Sequence, residues 1–488
     1  MAHRNLSDFI GELEDDGELV RISAEVDPNF ELAAVTTRAC QSLDVAPALL
    51  FENVKGCSIP VVTNLLGSRT RICKALGVAS LDEASARLES LIAPQAPQGL
   101  FETLRLLPQY AQLGALAPKE VSTGSCQQVV KLGSDVNLDT LPIPRCWPHE
   151  SAPSITAGQV ITCHPHAAHR DVDLIPLVVR DPTSLYVHWD SHSDGWKNFE
   201  QHRASHLQMP VAVVLGGDPL CTYAASFPAP YGNDETMLAG FIRNQNVDVV
   251  RCRSVEIEVP ADAEIVIEGY IDVDRPRERT GPLAAATGFY GEVSELPVLQ
   301  VTGLTHRSNP IFPAMITNSP PAEIEWLNRA TERLLAPFVK LFLPEVVALH
   351  QPRYGAFRNL VFVSIDKRYP QQARKVMHAL WSFSQLAVSK VIVVVDADVD
   401  VCDESQVWFH VGAHVHPGRD AVFCEGPTHM SDHAAPVMGV GHKLGLDATR
   451  KLPEEGHPRD WPERLSLNAD LETLVTQRWD EYGLGGRT

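Results

Sequence analysis

The stretch NLVFVSIDKRYPQQARKVMHALWSFSQLAVSKVIVVVD, residues 359–396, decides the architecture of the C-terminal part of the chain. NLVFVSID (359–366) is a short apolar run with polar ends and reads as a buried strand. Pro370 opens a helix that sets Ala373, Val376, Met377 and Leu380 on one face. KVIVVVD (390–396) is the next buried strand. Strand, helix and strand in so short a space make a βαβ unit, hence a parallel pair.

Toward the N-terminus, from about 120 to 310, the texture changes. SITAGQVITC, LIPLVV, LYVHW, VAVVLGG, EIEVPADAEIVIEGYI and VLQVTGLTH are short β-rich runs with turn signals between them, the pattern of a barrel or a sandwich. The first hundred residues return to α/β. Ser7 is read as the cap of a first helix that carries Phe9, Ile10 and Leu13. Asp27 with Pro28 starts a second helix, and ALLFENV and PVVTNLL are strands. This region is expected to end near 115, where PQAPQGL and APKEVSTGS loosen the chain. At the far end Leu471, Leu474, Val475 and Trp479 form an apolar helical stripe that needs a surface to cover it, expected on a second subunit.

Composition bounds the function. The chain has 488 residues, 44% of them hydrophobic and 21% charged, as in a globular protein with a sizeable core. A formal charge of -20 argues against duplex nucleic acid or an anionic membrane surface as partner. No apolar run approaches the ~20 residues of a membrane span, and the acidic, amphipathic start is not a secretory signal. Ten cysteines without a Cys-x-x-Cys read as reduced thiols of a cytoplasmic protein.

Several motifs are weak. DADVD (396–400) starts like a calcium loop but has Val407 where a Glu is needed. His410, His414 and His416 are zinc-type residues, yet Gly412 and Pro417 argue against the helix that would align them. CHPHAAH (163–169) reads as a surface turn. A dispersed set says more: Asp171, His192 and Glu235, one imidazole and two carboxylates, suit a hard divalent ion such as Mn2+ or Mg2+.

SITAGQVIT, LYVHWDSHSDG, MPVAVVLGGDPLCTYAASFPAPYGNDE, RNLVFVSIDKRYPQQARKVMHALWS, VVVDADVDV and GVGHKLGLDATRK together resemble, in order and over nearly the whole chain, the UbiD family of reversible decarboxylases. The resemblance implies an N-terminal α/β domain (1–118), a central split β-barrel for prenylated FMN (119–312), a C-terminal α/β domain (313–455), and a linker with an oligomerisation helix (456–488). It implies a homodimer or homohexamer, a cofactor supplied by a flavin prenyltransferase, and a divalent metal (Mn2+, or Mg2+ or Fe2+) with K+ nearby. By position the metal ligands become Asp171, in place of the family's Asn, with His192 and Glu235. Thr156, Ser226, Phe227 and Pro228 fall against the cofactor, and Lys443 near its phosphate.

The resemblance also exposes a gap. The family's loop reads Glu-Gly-Pro, Phe or Tyr, Gly, then Asp or Glu; here RTGPLAAATGFY puts Thr280 and Ala285 at the two carboxylate positions. The catalytic Arg five residues after the metal Asn becomes Pro176. Neither Thr nor Ala titrates near neutral pH, and Pro cannot donate even a backbone hydrogen bond. His188 and His192 are the nearby residues that could carry a proton. Three readings follow. One is a decarboxylase with atypical proton transfer, acting on an aromatic acid or an aryl-CoA thioester of the phthaloyl-CoA type. A second is a silent cofactor-binding subunit or scaffold. The third is a different metal-assisted reaction, such as hydrolysis.

Overall fold

The computed structural model describes residues 3, 5–92, 117–457, 459–465 and 467–483. PQAPQGL and the expected end of the N-terminal region lie outside them.

Parallel pairing follows from the βαβ pattern as expected. Leu360–Ile365 runs parallel to Val391–Asp396, and the helix Gln372–Leu380 between them buries Ala373, Val376, Met377 and Leu380 completely. The sheet has five strands, ordered Val346–His350, Leu360–Ile365, Val391–Asp396, Val440–Asp447 and Ala421–Pro427, with antiparallel pairs at both edges. The strands' apolar runs are buried on both faces, which is why they show no polar alternation.

The central region closes into a barrel of six antiparallel strands: Ile265–Ile271, Met209–Leu215, Ser154–Cys163, Arg170–Asp181, Ser184–Val187 and Val298–His306, the last pairing back to the first. Its interior is apolar, with Val160, Leu177, Val213, Ile267 and Leu304 fully buried. Pro176 sits where the ladder between Ser154–Cys163 and Arg170–Asp181 slips between Ile155 and Gly158. A residue without an N–H is tolerated in a barrel strand at such an irregularity.

The N-terminal sheet is ordered Leu19–Val26, Ala48–Val54, Val61–Thr63 and Phe312–Ala314. The chain thus returns from the barrel to add a parallel strand to the first sheet. Both N-terminal helix starts differ from the sequence expectation. Asn5, not Ser7, caps Leu6–Asp15, its side chain accepting from the Asp8 amide. Asp27 caps an Asx turn at Asn29 instead of the helix, which begins at Glu31 after Phe30 with φ 71°. Pro28 and Asn29 are taken up by backbone contacts with Arg145, so the helix starts only after that crossing.

Gly412 does not prevent a helix: Glu404–His414 is helical, and the His410 and His414 rings lie 4.8 Å apart on one face. Pro417 lies beyond its end. The terminal helix Ala469–Gln477 forms with its apolar stripe open: Leu471, Leu474 and Trp479 are 51%, 44% and 44% exposed. No helix among the described residues is long and apolar enough to cross a membrane.

Candidate functional site

The site grows from the start of one barrel strand. In Arg170–Asp181 alternate residues share a face, so Asp171 and Asp173 point the same way. Glu235, first residue of the helix Glu235–Arg243, reaches the same place and accepts the Val172 amide at 2.8 Å. Thr162 donates its hydroxyl to Asp171 at 3.4 Å, and the Gly195 amide, at the start of another helix, donates to Asp173 at 3.3 Å. Two helix N-termini therefore face one acidic cluster, an arrangement that favours negative charge.

No Lys or Arg lies within ion-pair distance of Asp171, Asp173 or Glu235 among the described residues; the adjacent Arg170 pairs outward with Asp234 at 2.9 Å. Burial pushes Glu235 up to about 8. Burial, then the charges of Asp173 and Glu235, push Asp171 far above the carboxylate range, and the Asp171 and Asp173 carboxyls share a hydrogen bond. Burial pushes Asp173 up as well, to about 6, so removal from water disfavours the charged form of all three carboxyls.

His192 does not join them. Its half-exposed imidazole lies 4.0 Å from Asp190 and faces His429 of the C-terminal domain. Among the described residues no three His, Cys, Asp or Glu side chains converge where a metal ion could sit, and that holds for His410, His414 and His416 as well. The predicted trio therefore splits into Asp171 with Glu235 on one side and His192 on the other. Two carboxylates without a basic partner still fit a hard divalent cation, because Mg2+-type ions are commonly held by one or two carboxylates plus a ligand's phosphate.

The 224–228 segment, expected from the sequence to lie against the cofactor, is tied to this cluster through backbone. The Leu174 amide, on the same strand, donates to the Ala225 carbonyl at 2.8 Å, just before Ser226, Phe227 and Pro228. Phe227 is buried, and the Ser226 hydroxyl is spent on the Tyr223 carbonyl at 2.6 Å. The Thr156 hydroxyl accepts the Met315 amide at 3.0 Å, which leaves its proton free to be donated. Lys443 belongs to the C-terminal domain. Its ammonium is buried inside the C-terminal domain against the carbonyls of Ala387 and Ser389, and burial pulls it down to about 8. Lys443 is thus part of the packing of that domain, because its strand Val440–Asp447 lies inside the five-stranded sheet.

The loop after Thr280 is closed on itself. The Ala285 amide donates to the Phe289 carbonyl at 2.9 Å, the Gly291 amide donates to Leu283 at 2.8 Å, and Gly281 has φ +108°, a conformation that favours glycine. The loop brings no acid or base. Thr280 meets Ser151, hydroxyl to hydroxyl, at 3.3 Å. Glu278 is bound by Arg180 at 2.9 Å, Tyr186 at 2.9 Å and Arg275 at 2.7 Å, and Arg180 holds its carboxyl below the usual range. One carboxylate the sequence reading missed does touch the loop. Buried Glu150 accepts the Ala284 amide at 3.2 Å, and the Cys146 and Trp147 amides at 2.9 and 3.0 Å. Nothing in its sequence neighbourhood pointed to it, since the contact spans 134 positions.

His188 faces Pro176 across the strand pair, its amide donating to the Pro176 carbonyl at 3.3 Å. Its imidazole has no hydrogen-bond partner among the described residues.

The chain matches solved structures over almost its full length. It is 28% identical to the UbiD-class enzyme HmfF from Pelotomaculum thermopropionicum in complex with FMN, covering 97% of this chain and 100% of that one with a TM-score of 0.78. It is 27% identical to the vanillic acid decarboxylase of Sedimentibacter hydroxybenzoicus in its closed form, covering 99% and 98% with a TM-score of 0.86. A protein of Aquifex aeolicus (strain VF5) is 41% identical over 482 residues, 99% of each chain. Family models of the 3-octaprenyl-4-hydroxybenzoate carboxy-lyase match in three parts: the N-terminal domain at 10–90, the Rift-related domain at 119–320 and the C-terminal domain at 325–448. With its three parts in order and a closed six-stranded barrel at its centre, the chain belongs to the UbiD family of carboxy-lyases.

Proposed function

We propose that this protein is a non-oxidative decarboxylase of an aromatic or unsaturated carboxylic acid that works with prenylated FMN and lacks the family's usual acid/base pair. The observation that carries the reading is the backbone link from Leu174 to Ala225, which sets the Asp171–Glu235 carboxylates beside the segment expected to lie against the flavin. A flavin phosphate in that place needs a cation to offset its desolvation. Asp171 and Glu235 would hold Mn2+, Mg2+ or Fe2+ there, and the bound ion would neutralise the phosphate. K+ has no candidate ligand set in this reading.

The flavin, when bound, supplies the electron sink for breaking the carbon–carbon bond. The chain's own residues do the rest. The apolar barrel excludes water, Phe227 and Pro228 would lie against the flavin, and the Thr156 hydroxyl has a proton to donate. Loss of CO2 leaves an electron pair on carbon that must take a proton. With Thr280, Ala285 and Pro176 unable to give one, His188 is the donor favoured by position and by its free imidazole. A substrate that spreads the developing charge itself suits such a site, and an aryl-CoA thioester of the phthaloyl-CoA type is one. The second reading, a silent cofactor-binding subunit, is favoured by the same three substitutions.

The test is co-expression with a flavin prenyltransferase, mass spectrometry of the bound flavin, and CO2 release from a panel of aryl acids and aryl thioesters. Bound prenylated flavin with CO2 release supports the decarboxylase. Bound flavin with silence on every acid and thioester supports the scaffold.

A further inference from the structure

One arginine of the C-terminal domain, turned toward Asp190 and Tyr223 of the barrel region, has no carboxylate at ion-pair distance among the described residues. The protein carries 61 acidic and 41 basic side chains, and nearly every other buried arginine is paired with a carboxylate or with backbone carbonyls. Arg358, half-buried, is in no ion pair. Its Nε and Nη2 share a single neutral acceptor, Asn328 Oδ1, at 3.3 and 3.2 Å. The remaining guanidinium donors have no partner among the described residues.

The loop that carries it is strained. Ala356 and Phe357 both have positive φ, 46° and 68°, a conformation costly for residues with a Cβ and kept where the surroundings require it. The strain stacks the guanidinium on the Phe357 ring, 4.6 Å from its centroid. The His429 ring meets the same phenyl edge-on at 5.1 Å, and four residues further along that loop His433 packs on Phe289 of the 281–291 loop at 4.4 Å. Two aromatic pairs, one at Arg358 and one at the 281–291 loop, thus share the segment that carries His429 and His433. On the barrel side Asp190 and the Tyr223 hydroxyl face the guanidinium. Tyr223 lies one residue before the 224–228 segment. Burial pulls the Arg358 guanidinium down to about 10, and the Asp190 charge offsets only part of that.

We propose that Arg358 binds a carboxylate of an aromatic substrate, so that the ligand class is an aromatic dicarboxylate or an aryl acid with a second anionic group. A planar guanidinium fork with free donors takes a carboxylate in two parallel hydrogen bonds, and the adjacent Phe357, His429, Phe289 and His433 suit a flat ring. One carboxylate held at Arg358 leaves the other free to be lost at the flavin. This assignment rests on the decarboxylase reading. The flavin phosphate is the other oxyanion within the same chemistry.

The test is calorimetric titration of the full chain loaded with FMN. Isophthalate, benzoate and inorganic phosphate are the probes, against wild type, Arg358→Gln, Arg358→Lys and Asn328→Asp. Isophthalate is expected to bind wild type and to bind Arg358→Gln about 10–100-fold more weakly, with Arg358→Lys between. Asn328→Asp, which hands the guanidinium an internal partner, is expected to weaken isophthalate while keeping the fold. FMN affinity is expected to be equal in all four. Unchanged isophthalate affinity in Arg358→Gln, or none in FMN-loaded wild type, overturns the assignment. So does inorganic phosphate binding as tightly as isophthalate. Loss of FMN affinity with isophthalate unaffected also overturns it and makes the flavin phosphate the anion. A wild type that takes isophthalate through Arg358 yet never binds FMN sinks the decarboxylase reading and leaves the Arg358 assignment standing.

Discussion

The Pro176 carbonyl accepts the His188 amide at 3.3 Å, which sets His188, whose imidazole has no hydrogen-bond partner among the described residues, beside the residue expected at the position of the family's catalytic arginine. General acid help of this kind is typically worth about 10²–10⁴-fold. Replacing His188 by Gln should lower kcat on the true substrate by about that factor while flavin binding stays as in wild type. The measurement is single-turnover CO2 release beside the flavin absorption spectrum. A fully active His188→Gln would move the proton source to solvent or to His192.

Stability should fall with rising pH in a window set by the acidic cluster. Glu235 keeps its proton in the folded protein up to about 8 but loses it near its ordinary 4.5 when unfolded. The folded state therefore binds more protons between those values, so its stability is complete below the lower one and is lost as pH rises through the upper. Asp171 acts in the same direction. Thermal unfolding should show Tm dropping from about pH 5 to about pH 9, and Glu235→Gln should flatten the slope. Mn2+ should raise Tm more at the alkaline end, where it replaces protons. A pH-independent Tm would contradict the account of this cluster.

Lys443 was expected at the flavin phosphate, and its placement makes a different prediction. Lys443→Met removes the donor to two buried carbonyls, which costs about 1–3 kcal/mol for each group left unsatisfied. The variant should lose thermal stability and keep its flavin affinity, read by fluorescence quenching on titration. Weakened flavin binding at unchanged Tm would return Lys443 to the phosphate.

How much of this was legible depended on whether the signal was local. The βαβ unit at 359–396 was readable in type and order because burial on both faces leaves an unbroken apolar run, and the helix between them shows its face by period alone, although it starts at Gln372 after Gln371 and not at Pro370. Helix starts were less so: Asp27 and Pro28 have the right chemistry for a cap, but a contact with Arg145, 117 positions away, claims that backbone. Asp171 and Glu235 meet because a strand start and a helix start meet, whereas His192 lies in the loop beside Asp190, where Ser191 touches Met430 of the C-terminal domain. Asp173, Glu150 and Arg358 carry no motif; only their neighbours in space mark them.

The terminal helix offers a test of assembly. With Leu471, Leu474 and Trp479 about half exposed, the stripe should be covered by a second copy in solution. Ending the chain after residue 465 should shift the protein from oligomer to monomer or aggregate on a calibrated column with light scattering. An unchanged mass would rule this helix out as the contact.

The most direct test of the central claim is CO2 release by the protein loaded with prenylated FMN, measured on plain cinnamate- and hydroxybenzoate-type acids beside an aryl thioester carrying a ring carboxylate. Losing a general acid raises the barrier by about 3–5 kcal/mol, which a thioester can offset and a bare ring cannot. The account predicts turnover of the activated substrate alone, with plain acids gained only by Pro176→Arg, Thr280→Glu and Ala285→Glu combined. Brisk release of CO2 from a plain aryl acid by the unmutated protein would contradict it.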